Sequence, residues 1–414
     1  MRAAKSLSIQ KVYTTCTQKN LHFSRKLTKI KQNTVCLRFF FLWNPLQLAA
    51  IGCQGRPGRP AGGNNMIVCK FGGTSLADAA RIRRAGAILR RDGARRFVIV
   101  SAPGRRFEGD DKVTDLLLQA GTGNGEALAA VLARFREMAA ALGVDMEGEL
   151  RRAREEIPTQ GLDFAASRGE YLCAQLVAKY LRWEFVDAAE VICLRESGAA
   201  DLEETYRRLP CALKPLKNAV IPGFYGATRR GEIRTFPRGG SDITGALAAG
   251  AMGARLYENW TDVDGLMSAD PRLVQNTVCV PEVSYRQMRL LSAMGAQVLH
   301  PDSLSPVMRA GIPTVLKNSF HPERPGTRIA GGARAKIPCL TGRALESGAG
   351  LLAVLSPEAM ELPGRSLAAL RAAGIRPRWL GAWSDRMLMR VRARCLPEAL
   401  RALHRALVEN AERW

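Results

Sequence analysis

Two glycine doublets stand between strand-like and helix-like runs, and they constrain the fold of this chain more than any other feature. One lies in K-F-G-G-T-S at residues 70–75 and the other in R-G-G-S-D at residues 238–242. Glycine permits close backbone approach, and a turn that opens a helix points backbone N–H groups at an anion. Two such turns in one domain predict phosphate chemistry.

Around the first doublet, the apolar run 67–69 predicts a short strand, and Ser75 with Asp78 predicts a capping box that opens the next helix. Lys70 would then project to the position of a terminal phosphate. A Walker-type P-loop is not indicated, because the chain contains no G-x-x-x-x-G-K-[ST] string. Taken alone, this turn is also typical of an ordinary strand-to-helix connection.

The second doublet shifts the interpretation towards an anion site. Arg238 offers a two-pronged guanidinium for a carboxylate or phosphate, and Ser241 and Asp242 begin an Ala/Gly-rich helix over 243–252. The stretch W-T-D-V-D-G-L-M-S-A-D-P-R, residues 260–272, follows a predicted strand and carries three carboxylates and an arginine.

With these strings, the chain resembles the aspartate kinases, members of the amino acid kinase fold, over roughly residues 66–329. Four further strings carry the resemblance: V-S-A-P-G at 100–104, K-V-T-D at 112–115, S-R-G-E-Y at 167–171 and M-G-A-Q-V-L-H-P at 294–301. Each string alone is weak. Six of them in the right order are specific.

The alternation of short β-like runs with helical runs predicts an α/β fold, a mostly parallel sheet sandwiched by helices. The expected strands are 97–101, 184–187, 219–224 and 255–259, and the expected helices are 77–91, 126–142, 163–180 and 243–252. We expect a leader over 1–65, a catalytic domain over 66–329, a linker over 330–337 and a small α+β module over 338–414.

The tail is similar to part of an ACT module, the amino-acid-sensing fold that aspartate kinases carry in tandem. Its expected elements are a strand over 351–355, a helix over 365–373, a strand over 387–391 and a helix over 397–407. The tail is long enough for one module and too short for two, so we expect a single module. Whether that module is truncated stays open. The resemblance implies a lysine or threonine effector and a homodimer.

The formal charge of +23 raises the question of nucleic acid or membrane binding, but the charge is unevenly spread. Residues 1–65 carry 11 Lys/Arg and no acid, which leaves 50 basic against 38 acidic residues, or +12, for the remainder. There the arginines alternate with acids and lack the interleaved aromatics of a nucleic-acid surface. We therefore expect neither nucleic acid nor membrane as a partner.

The leader has three interpretations: a transit peptide, a poor signal peptide, or upstream translation outside the working protein, which we favour. Its apolar run 39–51 is too short to span a bilayer. The ten cysteines form no C-x-x-C, and Cys69, Cys173 and Cys193 lie in apolar runs, which predicts a reduced, cytoplasmic protein. The four histidines are too isolated to predict a metal site.

The reaction implied by the resemblance is transfer of the ATP γ-phosphoryl group to the side-chain carboxylate of L-aspartate, with Mg²⁺ carried by the nucleotide. The product is 4-phospho-L-aspartate, the first step towards lysine, threonine and methionine. Because the acceptor carboxylate is ionised at neutral pH, no general base is needed. Catalysis must instead let two anions meet, through cations, backbone donors and alignment.

The resemblance implies that Lys70 and Asp242 are catalytic, Lys70 by neutralising the transferring group and Asp242 by orienting Lys70 or the Mg²⁺-nucleotide. Arg238 would clamp the α-carboxylate of aspartate and Glu170 its α-ammonium. The implied substrate-binding residues are Thr114, Glu170, Arg238, Gly239, Gly240 and Ser241. The implied nucleotide-binding residues are Lys70, Gly72, Gly73, Thr74, Ser101, Thr261, Asp262, Met267, Asp270, Arg272, Gln297 and Val298.

Two departures bear on the nucleotide: Met267 stands where many family members have an aromatic residue, and Gln297 where many have lysine. Three alternatives stay open at the level of sequence. The chain could be another amino acid kinase, or a non-catalytic amino-acid sensor. Glu170 could form a surface ion pair with Arg168 or Lys179.

Overall fold

The computed structural model describes residues 65–237, 239–296, 299 and 301–410. The predicted leader, 1–65, therefore lies outside the described residues except for its last position. The strands of the main domain are β1 (Ile67–Phe71), β2 (Arg95–Val100), β3 (Glu184–Phe185), β4 (Ala219–Pro222), β5 (Tyr225–Ala227), β6 (Ile233–Thr235), β7 (Leu256–Thr261), β8 (Glu282–Ser284), β9 (Thr314–Asn318) and β10 (Thr327–Ala330).

Eight of these strands form one sheet in the order β3-β4-β2-β1-β7-β9-β10-β8, and β5 pairs with β6 in a separate hairpin. Within the sheet, only β9 and β10 pair antiparallel. The helices of this domain are α1 (Ala79–Arg90), α2 (Val113–Gly121), α3 (Gly125–Leu142), α4 (Glu147–Glu156), α5 (Leu162–Leu181), α6 (Ala188–Val191), α7 (Leu202–Leu213), α8 (Gly240–Met252), α9 (Tyr285–Ala293) and α10 (Leu304–Ala310). The predicted α/β class is confirmed.

Two apolar cores lie on opposite faces of the sheet because successive side chains of a strand point to opposite sides. On β1, Ile67, Cys69 and Phe71 join one core with α1, α3 and α5. Val68 joins the other core with α7 and α8. Lys70, two positions after Val68, therefore points to the face that α8 covers.

The strands and helices predicted in the main domain are all present, with ends that differ from the predicted ones by at most three residues. One local prediction is wrong: Ser75 and Asp78 form no capping box. Ser75 lies in a one-turn 3₁₀ helix, Gly73–Leu76, and its hydroxyl lies 2.7 Å from that of Ser319. Asp78 itself caps α1 by accepting the Arg81 N–H.

A smaller four-stranded sheet follows, with two helices. Its elements are β11 (Cys339–Ala344), β12 (Ala349–Leu355), α11 (Pro363–Ala372), β13 (Arg378–Trp383), β14 (Arg386–Arg392) and α12 (Leu396–His404). The strand order is β11-β12-β14-β13, and all pairs are antiparallel. We call residues 339–410 the C-terminal module. The predicted α+β module is confirmed, and β11 and β13 are the strands that the sequence pattern missed.

The C-terminal module is built against the main domain through β11 and α12. The Leu340 N–H donates to the Ser268 carbonyl at 2.7 Å, and the Thr341 hydroxyl donates to the Met294 carbonyl at 3.5 Å. Ala269 and other main-domain residues share the module's apolar core. The main sheet ends at Ala330 and the smaller one begins at β11; the domain boundaries at 329 and 338 stay a prediction.

Among the described residues, the helices are too short or too polar to cross a bilayer. The cysteines described are all free, and Cys69, Cys173 and Cys193 are buried.

Candidate active site

Lys70 and Asp242 bring the two glycine turns together. The Lys70 ammonium lies 2.6 Å from Asp242 Oδ1, and both side chains are largely buried, at 10% and 17% exposed. The same oxygen accepts the Asn259 amide N–H at 2.9 Å. Asn259 stands beside Lys70 in the β1–β7 register. Strand and helix thus fix one cation and one carboxylate at the end of the sheet.

The first glycine turn is pressed against the loop that follows β2. A Cβ on Gly73 would lie 2.7 Å from the Ala102 carbonyl oxygen, and one on Gly104 would lie 2.7 Å from the Thr74 nitrogen. The Gly104 N–H donates to the Gly73 carbonyl at 2.8 Å. Side chains at 73 and 104 would push the loops apart. A Cβ on the neighbouring Gly72 would lie 3.6 Å from the Lys70 ammonium, so this turn borders the lysine.

The second turn opens α8 without a side-chain cap. Gly239 has φ of 62°, in the left-handed region, and makes no capping hydrogen bond. Gly240 packs so closely that a Cβ would lie 2.7 Å from the Phe224 Cα atom, and Phe224 itself has φ of 73°. Ser241 is buried beside Gly223. Among the described residues, the N-cap of α8 thus supplies no side chain to its first N–H groups.

Glu170 on α5 is a buried carboxyl that faces this cluster. It is 5% exposed, and its Oε2 atom has no hydrogen-bond partner among the described residues. Burial raises the pKa of Glu170 to about 8, while the Ala102 N–H and the Lys70 charge act in the opposite direction. A buried carboxylate oxygen without a donor is costly, and a cationic ligand would satisfy it.

The surface ion pair considered for Glu170 is wrong. Arg168 is buried, donates to Ser167 and stacks over the Phe164 ring at 4.1 Å. Lys179 pairs with Glu149 at 2.8 Å. Neither cation neutralises Glu170.

Other predicted residues lie around the same sheet edge. Thr114 is half-buried in the first turn of α2, whose neighbouring residue Val113 packs against Gly169. Ser101 follows β2, and its N–H donates to the Phe71 carbonyl at 3.2 Å. Thr261 ends β7 and donates its hydroxyl to Asp262 at 3.1 Å.

Residues 267–272, which we call the nucleotide segment after the role predicted for it, lie against the C-terminal module. Met267 and Cys279 form an isolated antiparallel β-bridge. Asp270 and Arg272 form an ion pair at 2.7 Å, and Arg272 is 68% exposed. Three predicted site residues, Arg238, Gln297 and Val298, lie outside the described residues.

Two residues near the cluster were missed from sequence. Asn259 is 2% exposed and donates to Asp242, and a buried amide near a strand end was its only sequence signal. Phe224 closes over Gly240, and no pattern in the sequence marks its backbone conformation. In the part of the chain that the structure describes, no cluster of three or more His, Cys, Asp or Glu side chains could hold a metal ion.

A model described as "Amino acid kinase family" matches residues 65–318. The chain belongs to the amino acid kinase family. Aspartokinase 3 of Bacillus subtilis is 38% identical over 288 residues, 64% of this chain and 63% of that protein. The chloroplastic bifunctional aspartokinase/homoserine dehydrogenase 2 of Arabidopsis thaliana is 32% identical over 300 residues, 64% of this chain and 32% of that protein.

The chain thus spans less than two thirds of either relative. Among solved structures, the aspartate kinase of Clostridium acetobutylicum matches with a TM-score of 0.73 at 28% identity, covering 83% of this chain and 99% of that one. E. coli aspartokinase III, crystallised with aspartate and ADP, has a TM-score of 0.71 at 22% identity, covering 83% and 99%, and shows likeness of fold. These relatives confirm the resemblance to aspartate kinases within the amino acid kinase family.

Proposed function

We propose that this member of the amino acid kinase family transfers the ATP γ-phosphoryl group to the side-chain carboxylate of L-aspartate. The observation that carries the proposal is Glu170, a buried carboxyl group with one oxygen that has no partner among the described residues, which faces a fixed lysine–carboxylate pair. An amino-acid ammonium group supplies the charge and the donors that this oxygen lacks.

An α-amino acid must be held at both charged ends. Glu170 is our candidate for the ammonium. The uncapped start of α8 at Gly239, Gly240 and Ser241 is our candidate for the α-carboxylate, with Arg238 as its clamp and Thr114 as a further hydroxyl contact. Held in this way, the side-chain carboxylate of aspartate would point towards Lys70.

The phosphoryl end of the site needs positive charge more than it needs a base. The acceptor carboxylate is already ionised, so the barrier is the repulsion between two anions. Lys70, held by Asp242, would neutralise the transferring group while Gly72, Gly73 and Thr74 border it. Fixed donors cost little reorganisation during the reaction, which makes them effective at developing charge.

Nucleotide contacts are proposed for the residues that follow β7 and for the turn after β2. They are Ser101, Thr261, Asp262, Met267, Asp270, Arg272, Gln297 and Val298. Magnesium is commonly held by one or two carboxylates together with substrate phosphates, and Asp242 is the carboxylate of the cluster that fits this pattern. Bound with ATP, the ion would neutralise phosphate charge.

The deciding experiment is a coupled ADP-release assay on residues 66–414 with ATP, Mg²⁺ and a panel of acceptors. We expect ADP release with L-aspartate and an acyl phosphate that hydroxylamine traps. Release with glutamate, acetylglutamate, carbamate or a nucleoside monophosphate instead would identify another amino acid kinase. A protein that binds both ligands without turnover would be a sensor.

The proposal also covers regulation and assembly. We infer an ACT-like regulatory role for the C-terminal module, with lysine or threonine as effector. We also infer a reduced, cytoplasmic protein that serves lysine, threonine and methionine synthesis.

The outer edge of β13 pairs with no described strand, and its Trp379, Leu380 and Trp383 are 38%, 43% and 42% exposed. Such an edge suits pairing with a second copy. Added lysine and threonine in the ADP assay, and sedimentation of Leu380→Lys, test these points.

A further inference from the structure

Three polar side chains form a hydrogen-bonded chain between the two parts of the molecule, and Glu409 at its end is exposed. Ser268 Oγ lies 2.9 Å from His404 Nε2, and His404 Nδ1 lies 2.9 Å from Glu409 Oε1. Ser268 belongs to the nucleotide segment, whereas His404 and Glu409 belong to the C-terminal module. Ser268 and His404 are both fully buried. We call these three residues the histidine relay.

One arrangement of protons satisfies all the hydrogen bonds around the relay. The Val278 N–H donates to Ser268 Oγ at 3.1 Å, so the serine hydroxyl is free to donate its own proton to His404 Nε2. His404 Nδ1–H then donates to the Glu409 carboxylate. This assignment gives every member of the relay a partner.

A local change in helix geometry brings Glu409 to His404. The last helix ends as α12 at His404 and continues as a wide π turn over Arg405–Glu409, closed by the Asn410 N–H on the Arg405 carbonyl at 2.9 Å. A π turn aligns residues five apart, whereas an α-helix aligns residues three or four apart. Such turns cost stability and occur often at functional sites.

The order serine, histidine, carboxylate is that of a hydrolase triad, but this relay cannot attack a substrate because Ser268 is fully buried. Its backbone is also fixed. The Ser268 N–H donates to the Val278 carbonyl at 2.8 Å, and its carbonyl accepts the Leu340 N–H of β11. Ser268 follows Met267 and precedes Asp270 by two positions, so whatever holds Ser268 also holds the residues proposed to contact the nucleotide.

We propose that His404 is a positioning residue through which the C-terminal module fixes the nucleotide segment in its ATP-binding conformation. The proposal rests on the nucleotide role proposed above for Met267, Asp270 and Arg272. It accounts for the π turn that ends the last helix. A movement of α12 would change the affinity for ATP through the relay, without any contact to aspartate.

The test compares Ser268→Ala, His404→Asn and His404→Gln in the full chain. An asparagine amide reaches the position of Nδ1 and keeps the bond to Glu409, whereas a glutamine amide reaches the position of Nε2 and keeps the bond to Ser268. We expect Ser268→Ala and His404→Asn to raise the Kd for Mg-ADP and the KM for ATP about tenfold. His404→Gln should stay within about threefold of the wild type, and the KM for aspartate should not change.

The matched control is Ser366→Ala. Ser366, in the C-terminal module, is fully buried like Ser268. Its hydroxyl faces the Met387 sulfur at 3.7 Å, away from the relay. It should lower the melting temperature and leave nucleotide affinity unchanged. Any of three results would overturn the proposal: an equal loss of nucleotide affinity in Ser366→Ala, an unchanged Kd for Mg-ADP in Ser268→Ala, or a parallel rise in the KM for aspartate. If His404→Asn fails to fold, Ser268→Ala alone decides.

Calorimetric Mg-ADP binding separates this proposal from the proposed function. Tight Mg-ADP binding by the wild type without aspartate-dependent ADP release would overturn the aspartate kinase assignment, and the variants would still test the relay. Aspartate-dependent ADP release with unchanged nucleotide affinity in Ser268→Ala would overturn the relay alone.

Discussion

Two charged clusters lie on adjacent positions of the same two strands, β1 and β7, and they face opposite sides of the sheet. In the register of these strands, Cys69 stands opposite Glu258, and Lys70 stands opposite Asn259. Glu258 accepts from Arg95 at 2.8 and 3.1 Å, from the Trp260 indole at 3.0 Å and from the Cys69 thiol at 3.4 Å. Its carboxylate is saturated.

The cluster on the other face is incomplete. Lys70 and Asp242 hold each other, but Glu170 retains an oxygen without a partner among the described residues, and the start of α8 has no side-chain cap. Both clusters are buried and both contain an ion pair, so neither burial nor charge distinguishes them. Unfilled hydrogen-bonding capacity does: on this ground we expect the Glu258 cluster to serve stability, and we propose ligand binding for the Lys70 cluster.

The sharpest test of this contrast is Lys70→Met, which keeps the length of the side chain and removes its charge. If Lys70 neutralises the transferring phosphoryl group, kcat should fall by about 10³-fold. Steady-state kinetics in the ADP assay measure it. Lys179→Met is the matched control, because Lys179 lies near the end of α5 and pairs with Glu149 of α4. The kcat of this variant should stay near that of the wild type. Retention of most of the kcat by Lys70→Met would place phosphoryl stabilisation elsewhere.

Arg95→Met tests the saturated cluster. Removing one partner leaves the Glu258 carboxylate buried and unpaired, so we expect the free energy of unfolding to fall by about 3–5 kcal/mol with kcat unchanged at permissive temperature. Urea denaturation measures the loss. The double variant Arg95→Met with Glu258→Leu removes both charges and should recover most of it. A large loss of kcat in folded Arg95→Met would contradict the structural role.

Glu170→Gln should weaken aspartate binding and stabilise the free protein. Losing a charged hydrogen bond to the ammonium should raise the KM for aspartate by about 10–100-fold. The pKa of Glu170 is raised to about 8 in the folded state and is near 4.3 when unfolded. The folded state therefore binds the extra proton between these values, and its stability declines as pH rises through them.

Relative to Glu170→Gln, the wild type should lose about 2–4 kcal/mol of stability between pH 5 and pH 8. Thermal denaturation at several pH values measures the difference between the two proteins. Bound aspartate should reduce this difference, because the ammonium group of aspartate favours the ionised form of Glu170. Parallel pH curves for the two proteins would show that Glu170 is not the buried acid that the geometry indicates.

The fold could be predicted further than the site could. Buried parallel strands are continuous apolar runs, which is why β1, β2 and β4 were evident from sequence. The missed strands β11 and β13 are edge strands that contain glycine and polar residues, so they show no clean alternation. The resemblance to aspartate kinases implied that Lys70 and Asp242 act together, and their charged groups lie 2.6 Å apart.

What the sequence could not predict depends on register and on helix geometry. Asn259 and Glu258 are neighbours in the chain, but their opposite roles follow from pairing with a strand about 190 positions away. The relay depends on a π turn where the pattern predicted a helix over 397–407, and no local residue preference marks that change. Such features follow from tertiary contacts.

The smallest effect is expected for Asn259→Ala, which sharpens the comparison within one strand. Asn259 donates to Asp242 at 2.9 Å and so helps to hold the carboxylate that positions Lys70. Because the ion pair itself remains, we expect kcat to fall only about fivefold, with the KM for aspartate unchanged. Asn318→Ala, which removes another buried strand amide bonded to Asp264 at 2.7 Å, is the control for stability. Equal losses of kcat in both variants would mean that Asn259 acts through general packing, and the contrast between the two faces of β7 would then rest on Lys70 and Glu170 alone.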